Sequence, residues 1–65
     1  MQEAIHLLTE REKETVELMS KGLTYKKIAL EMDVSHETVK MHLKNIYRKL
    51  EVQNKIEALQ KVKLL

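Results

Sequence analysis

Residues 35–50, Ser-His-Glu-Thr-Val-Lys-Met-His-Leu-Lys-Asn-Ile-Tyr-Arg-Lys-Leu, constrain the fold of this chain more than any other stretch. Val39, Leu43, Ile46 and Leu50 recur at spacings of four, three and four residues. On a helix of about 3.6 residues per turn they form one narrow apolar stripe. The opposite face carries Glu37, Met41, Lys44 and Arg48, with Lys40 and Asn45 beside them. Such a helix has one face to bury and a largely cationic face to show. Ser35 suits the N-cap, where its hydroxyl can accept from an orphan N–H of the first turn. Val34 before the cap and Val39 within the helix can form a hydrophobic staple.

The preceding residues supply a second, shorter helix. Thr24 can cap Tyr25 to Met32, with Ile28, Ala29 and Met32 on one side and Ala29 small enough to let another helix approach closely. Only Asp33-Val34-Ser35 separates the two helices, and Asp33 tolerates left-handed backbone. Helix, three-residue turn, helix is the helix-turn-helix pattern. Upstream, Thr9-Glu-Arg-Glu12 reads as a capping box, and Glu10 and Glu12 suit the positive end of a helix dipole. That helix runs to about residue 20, with Val16, Met19 and either Leu18 or Thr15 turned inward, until Gly22 supplies a left-handed stop. Ile5, Leu7 and Leu8 are expected to pack beneath it. Downstream, Asn54-Lys-Ile-Glu57 is a second box-like cap, and Ile56, Ala58, Leu59, Val62 and Leu65 cover about half the circumference of a last helix. The chain is therefore expected to be all-α, a compact four-helix domain with helices about 10–20, 25–32, 36–50 and 55–64.

Composition bounds what such a fold can be for. Sixty-five residues make one small domain, with no cysteine to staple it, and two tyrosines without Phe or Trp leave an aliphatic core. No apolar run is long enough for a membrane span, and the absence of cysteine and of a signal-like segment fits a cytoplasmic location. Net charge is only +2, but it is unevenly placed. Residues 1–33 carry five basic and seven acidic side chains, whereas residues 34–65 carry seven basic and three acidic ones. The positive field centres on the 36–50 helix, which at about 22 Å is long enough to lie in a DNA major groove.

Other chemistries find little support. His36 and His42 lie about 240° apart around a helix, with no cysteine or second liganding pair, so no metal site is expected. Glu10, Glu12, Glu14 and Glu17 spread around a short helix without a nucleophile, and capping and solvation explain them. Neither catalysis nor a cofactor is expected.

Leu8-Thr-x-Arg-Glu12, Gly22-x-Thr, Ile28-Ala-x-x-Met32, Ser35-x-x-Thr-Val-Lys-x-His42, Asn45-Ile-x-x-Lys-Leu50, Val52 and Lys55-x-x-Ala58 together resemble the LuxR-type (NarL/FixJ-like) DNA-binding domain over residues 7–65. That resemblance implies a transcription regulator domain whose third helix reads the major groove and whose fourth helix dimerises. By position it implies base contacts from Lys40, Met41 and Lys44. It implies phosphate or positioning contacts from Thr24, Lys27, Ser35, Thr38, His42, Asn45 and Lys49, and a dimer surface of Ile56, Leu59 and Val62. Met41 could then meet a thymine methyl. The implied partners are double-stranded DNA carrying an inverted repeat, a second copy of the chain and RNA polymerase, with no membrane. Three positions depart from the family: Glu51 where glycine is usual, Lys55 for arginine and Tyr25 for asparagine. The alternatives are a helical protein-interaction module, docking through the last helix, or a sigma-factor-like promoter-reading domain.

Overall fold

A computed structural model of the chain describes residues 6–63. Among these residues it contains four helices, α1 (Glu10–Ser20), α2 (Tyr25–Met32), α3 (His36–Leu50) and α4 (Lys55–Lys63). Each of α1, α2 and α4 packs on α3, and α1 also packs on α2. The buried stripe of α3 is Val39, Leu43, Ile46 and Leu50, as its periodicity requires. It meets Leu8, Val16 and Met19 from the α1 side, Ile28, Ala29 and Met32 from α2, and Ala58 from α4. Thr15 rather than Leu18 fills the remaining inward position of α1, donating to the Arg11 carbonyl (2.9 Å) and lying 3.3 Å from Met32 Sδ.

The connections are short because each helix end is closed locally. Thr9, Thr24 and Ser35 cap α1, α2 and α3 through hydroxyls that accept from Glu12, Lys27 and Thr38 N–H. Helices α2 and α3 end in the same way. Val34 N–H donates to the Ala29 carbonyl and Asp33 N–H to that of Leu30; Val52 N–H donates to Tyr47 and Glu51 N–H to Arg48. Both are Schellman closures, which require left-handed backbone at the first residue beyond the helix. Asp33 (φ 57°) and Glu51 (φ 58°) supply it without being glycine. Asparagine and aspartate accept this region more readily than other residues, so Glu51 is the more strained of the two.

One contact ties the first helix to the far end of the third. Glu12 makes the expected capping box, its Oε1 accepting from Thr9 N–H at 2.9 Å. The same oxygen accepts from Lys49 Nζ at 2.8 Å, and Glu12 is only 4% exposed. Solvation therefore does not explain Glu12, contrary to the expectation from sequence. Burial alone would raise its pKa, but the Lys49 ammonium and the Thr9 hydrogen bonds outweigh burial and hold the carboxyl below its ordinary value. Arg11 makes a parallel link: Nη2 donates to the Met32 carbonyl at 3.2 Å, at the end of α2, while Nη1 pairs with Glu14.

Two further expectations change. Leu8, next to the Thr9 cap, takes the core position, whereas Leu7 faces outward and is exposed. Ile5 and Leu65 lie outside the described residues. At the start of α4, Asn54 Oδ1 accepts from Glu57 N–H at 2.9 Å, but Glu57 Oε1 accepts from Gln53 N–H rather than from that of Asn54. The reciprocal bond is displaced by one residue.

Two stability predictions follow from these contacts. Lys49→Met should destabilise the fold by about 2 kcal/mol in urea unfolding, below the range for a fully buried pair because the Lys49 side chain keeps 30% exposure. Glu12 has a lowered folded-state pKa, so its contribution is present above its unfolded-state value and fades as pH falls through the folded one. The gap between wild type and Lys49→Met should narrow over that acidic range, and a gap independent of pH would contradict the ion pair. Glu51→Gly should stabilise by about 1 kcal/mol, since glycine adopts positive φ without the Cβ penalty; thermal unfolding checks this.

Candidate nucleic-acid interface

The face of α3 opposite its buried stripe is open. Glu37, Lys40, Lys44 and Arg48 are exposed, and Met41, midway along, is 63% exposed. Among the described residues Lys40 and Lys44 form no ion pair, unlike the cations of α1, where Arg11 pairs with Glu14 and Lys13 with Glu10. The three side chains expected to face bases therefore share one surface. The two lysine ammonium groups are left to whatever approaches it.

Of the expected positioning residues, Thr24 and Lys27 stand at the start of α2 and the rest belong to α3 and its cap. Ser35 Oγ accepts from Thr38 N–H (3.1 Å) and lies 2.9 Å from Thr38 Oγ1. One of these hydroxyls donates to the other, so one O–H remains for an outside acceptor. Thr24 Oγ1 accepts from Lys27 N–H at 3.2 Å, and both residues are exposed at the start of α2. His42 and Asn45 are half-buried beside the stripe. Asn45 Oδ1 accepts from Arg48 Nη2 at 3.2 Å, which leaves its amide N–H groups as donors. Lys49 stands apart from the other lysines of α3 because Glu12 holds its ammonium.

Sequence reasoning missed a group of rings at the α2–α3 contact. Tyr25 and His36 lie with centroids 6.1 Å apart, tilted by 43°. The half-buried Tyr47 phenol is pushed up to about 12, first by burial and then by the neighbouring Tyr25 hydroxyl. His36 and Tyr47 share one face of α3 about three turns apart, but Tyr25 comes from α2, and no helical period links it to them. Arg11 and Glu12 were visible as part of a motif, but their partners lie 21 and 37 residues away.

The expected dimer residues do not behave alike. Ile56 is 66% exposed, whereas Leu59 and Val62 are half-buried against the core. Among the described residues no group of three His, Asp or Glu is placed to hold a metal ion, and no helix is long and apolar enough to cross a membrane.

Comparison with known proteins adds to this geometry. Residues 6–62 match the family described as bacterial regulatory proteins, luxR family. The chain is 45% identical over 56 residues to the transcriptional regulatory protein DesR of Bacillus subtilis, covering 86% of this chain and 28% of DesR. It is 40% identical over 52 residues to the nitrate/nitrite response regulator protein NarP of Escherichia coli, covering 80% of this chain and 24% of NarP. With the HTH-type transcriptional regulator MalT of Vibrio cholerae it shares 42% identity over 53 residues, 82% of this chain and 6% of MalT. The chain thus spans about a quarter or less of the length of these relatives. The match runs through all four helices, a class of transcription regulators rather than enzymes: the chain belongs to the luxR family of bacterial regulatory proteins, as a DNA-binding helix-turn-helix domain.

Proposed function

We propose that this domain reads double-stranded DNA by laying α3 in the major groove. The observation that carries this reading is the stripe of Lys40, Met41 and Lys44, exposed and free of ion pairs among the described residues, on a helix whose opposite face is fully buried. Lysine can donate to guanine O6 and N7, and a methionine can pack on a thymine methyl, so the stripe can address both kinds of base pair. Around it, Thr24 and Lys27 from α2 and Ser35, Thr38, His42 and Asn45 from α3 supply donors to phosphate oxygens and fix the register. Lys49 acts mainly as a positioning residue through Glu12, orienting α3 against α1. As in other helix-turn-helix proteins, α2 would cross the backbone above the groove.

Two copies would meet an inverted repeat with half-sites about one helical turn apart. Ile56 is the natural centre of that contact, since its side chain is exposed while its neighbours Leu59 and Val62 reach partly into the core. The setting is the bacterial cytoplasm, where regulation would bring the complex next to RNA polymerase.

Three outcomes test this reading. Lys44→Ala should cost about 1–3 kcal/mol and relax preference at one base pair, whereas Lys27→Ala should weaken all sequences alike and lower the salt slope of binding by about one; titration of selected and mutated duplexes separates the two. Identical effects of both variants would remove the assigned roles. Ile56→Asp should leave the fold intact and give a monomer by sedimentation with weaker binding to the inverted repeat. A variant that sediments as the wild type does would end the α4 dimer. A protein-interaction module, by contrast, would show no steep loss of DNA affinity with rising salt.

A further inference from the structure

The outward stripe of α3 contains one residue that a simple phosphate-binding surface would not keep. Glu37 is exposed in the first turn, in line with Met41 and Lys44 at spacings of four and seven residues. Lys40 sits at the i+3 position, yet among the described residues no ion pair joins it to Glu37. The same spacing does give pairs in α1, between Arg11 and Glu14 and between Glu10 and Lys13. The carboxylate is therefore presented outward, unneutralised, at the end of the helix that enters a groove first.

A carboxylate in that place meets the negative field of two phosphate strands. It also meets base edges, and most major-groove atoms are acceptors that repel it: N7 and O6 of guanine, N7 of adenine, O4 of thymine. Only the amino groups of cytosine and adenine donate there, and cytosine N4 is the usual partner of Glu and Asp. Favourable interaction with the helix dipole accounts for an acidic residue in the first turn, but not for its alignment with the DNA-facing side chains. We infer that Glu37 is a specificity residue, accepting from a cytosine N4 amino group and rejecting guanine or thymine at one position of each half-site. This rests on the DNA-reading function proposed above. Its place is about 6 Å along the helix from Met41, so it addresses a base pair neighbouring the one that Met41 touches.

The residue then acts in two directions. It lowers affinity for DNA in general through repulsion, and it recovers affinity where the right amino group is offered. Specificity rises on both counts, because the wrong sites lose more than the right one.

The test is selection of sites from random duplex DNA with the 65-residue chain and its Glu37→Ala and Glu37→Gln variants, with thermal unfolding in parallel. Wild type should recover a motif with a strong cytosine preference at one position per half-site. Glu37→Ala should lose that preference, by about tenfold in relative affinity, while its binding to unrelated duplexes increases. Glu37→Gln should move the preference toward adenine, whose N6 and N7 match a glutamine amide. A role confined to the helix dipole would lower the melting temperature and leave the motif intact, which would overturn the inference alone. A wild-type chain that is folded but recovers no motif would overturn the DNA-reading function and this inference with it.

Discussion

The placement of α3 depends on one buried carboxylate. Glu12 cannot be left unpaired in the interior, because an ionised group out of water is costly unless it is neutralised and hydrogen-bonded. Its own cap supplies one hydrogen bond, from the Thr9 backbone N–H, and the remaining requirement is met only when Lys49 arrives from the last turn of α3. The buried stripe of Val39, Leu43, Ile46 and Leu50 decides which face of α3 is left outward, and the ion pair adds a polar tie between its last turn and α1. Arg11 holding the Met32 carbonyl does the same for the end of α2, so one turn of α1 secures both arms of the helix-turn-helix.

With α1 as the bracket, the turn itself can be minimal. Schellman closure at Asp33 satisfies the last carbonyls of α2 and reverses the chain within three residues, and Ser35 then starts α3. The geometry repeats at Glu51, where a less suitable residue adopts the same backbone. Tolerance of that strain indicates how firmly packing over-determines the α3–α4 connection: Leu50 and Ala58 are buried on either side of it. The side chains proposed to meet DNA consequently sit on a rigid element, while their donors point away from it, the arrangement that the proposed groove reading needs.

Much of this was legible in the sequence. Periodicity located every buried residue of α3, and threonine, serine and asparagine caps placed the helix starts, because both signals are local and repeat at the helix period. The conformation of Asp33 followed from its intrinsic tolerance of left-handed backbone. What stayed hidden depends on residues far apart in the chain. Nothing near Glu12 announces Lys49, and a lysine on a cationic helix reads as one more phosphate ligand until the fold brings it to a carboxylate. Tyr25 stood out only as a departure from the family and Tyr47 not at all, and only helix packing brings their hydroxyls together. On α4 the apolar stripe was visible, but its division between core and surface was not, since Leu59 and Val62 reach inward only because α3 passes beneath them.

The decisive measurement is an amide shift map of the 15N-labelled chain titrated with duplex DNA at low and high salt. If the outward face of α3 meets DNA, the shifts should concentrate between Ser35 and Lys44 and around Thr24 and Lys27, and they should reverse as salt rises. Shifts centred on Ile56 with α3 unaffected, or no shifts at all from the folded chain, would contradict it.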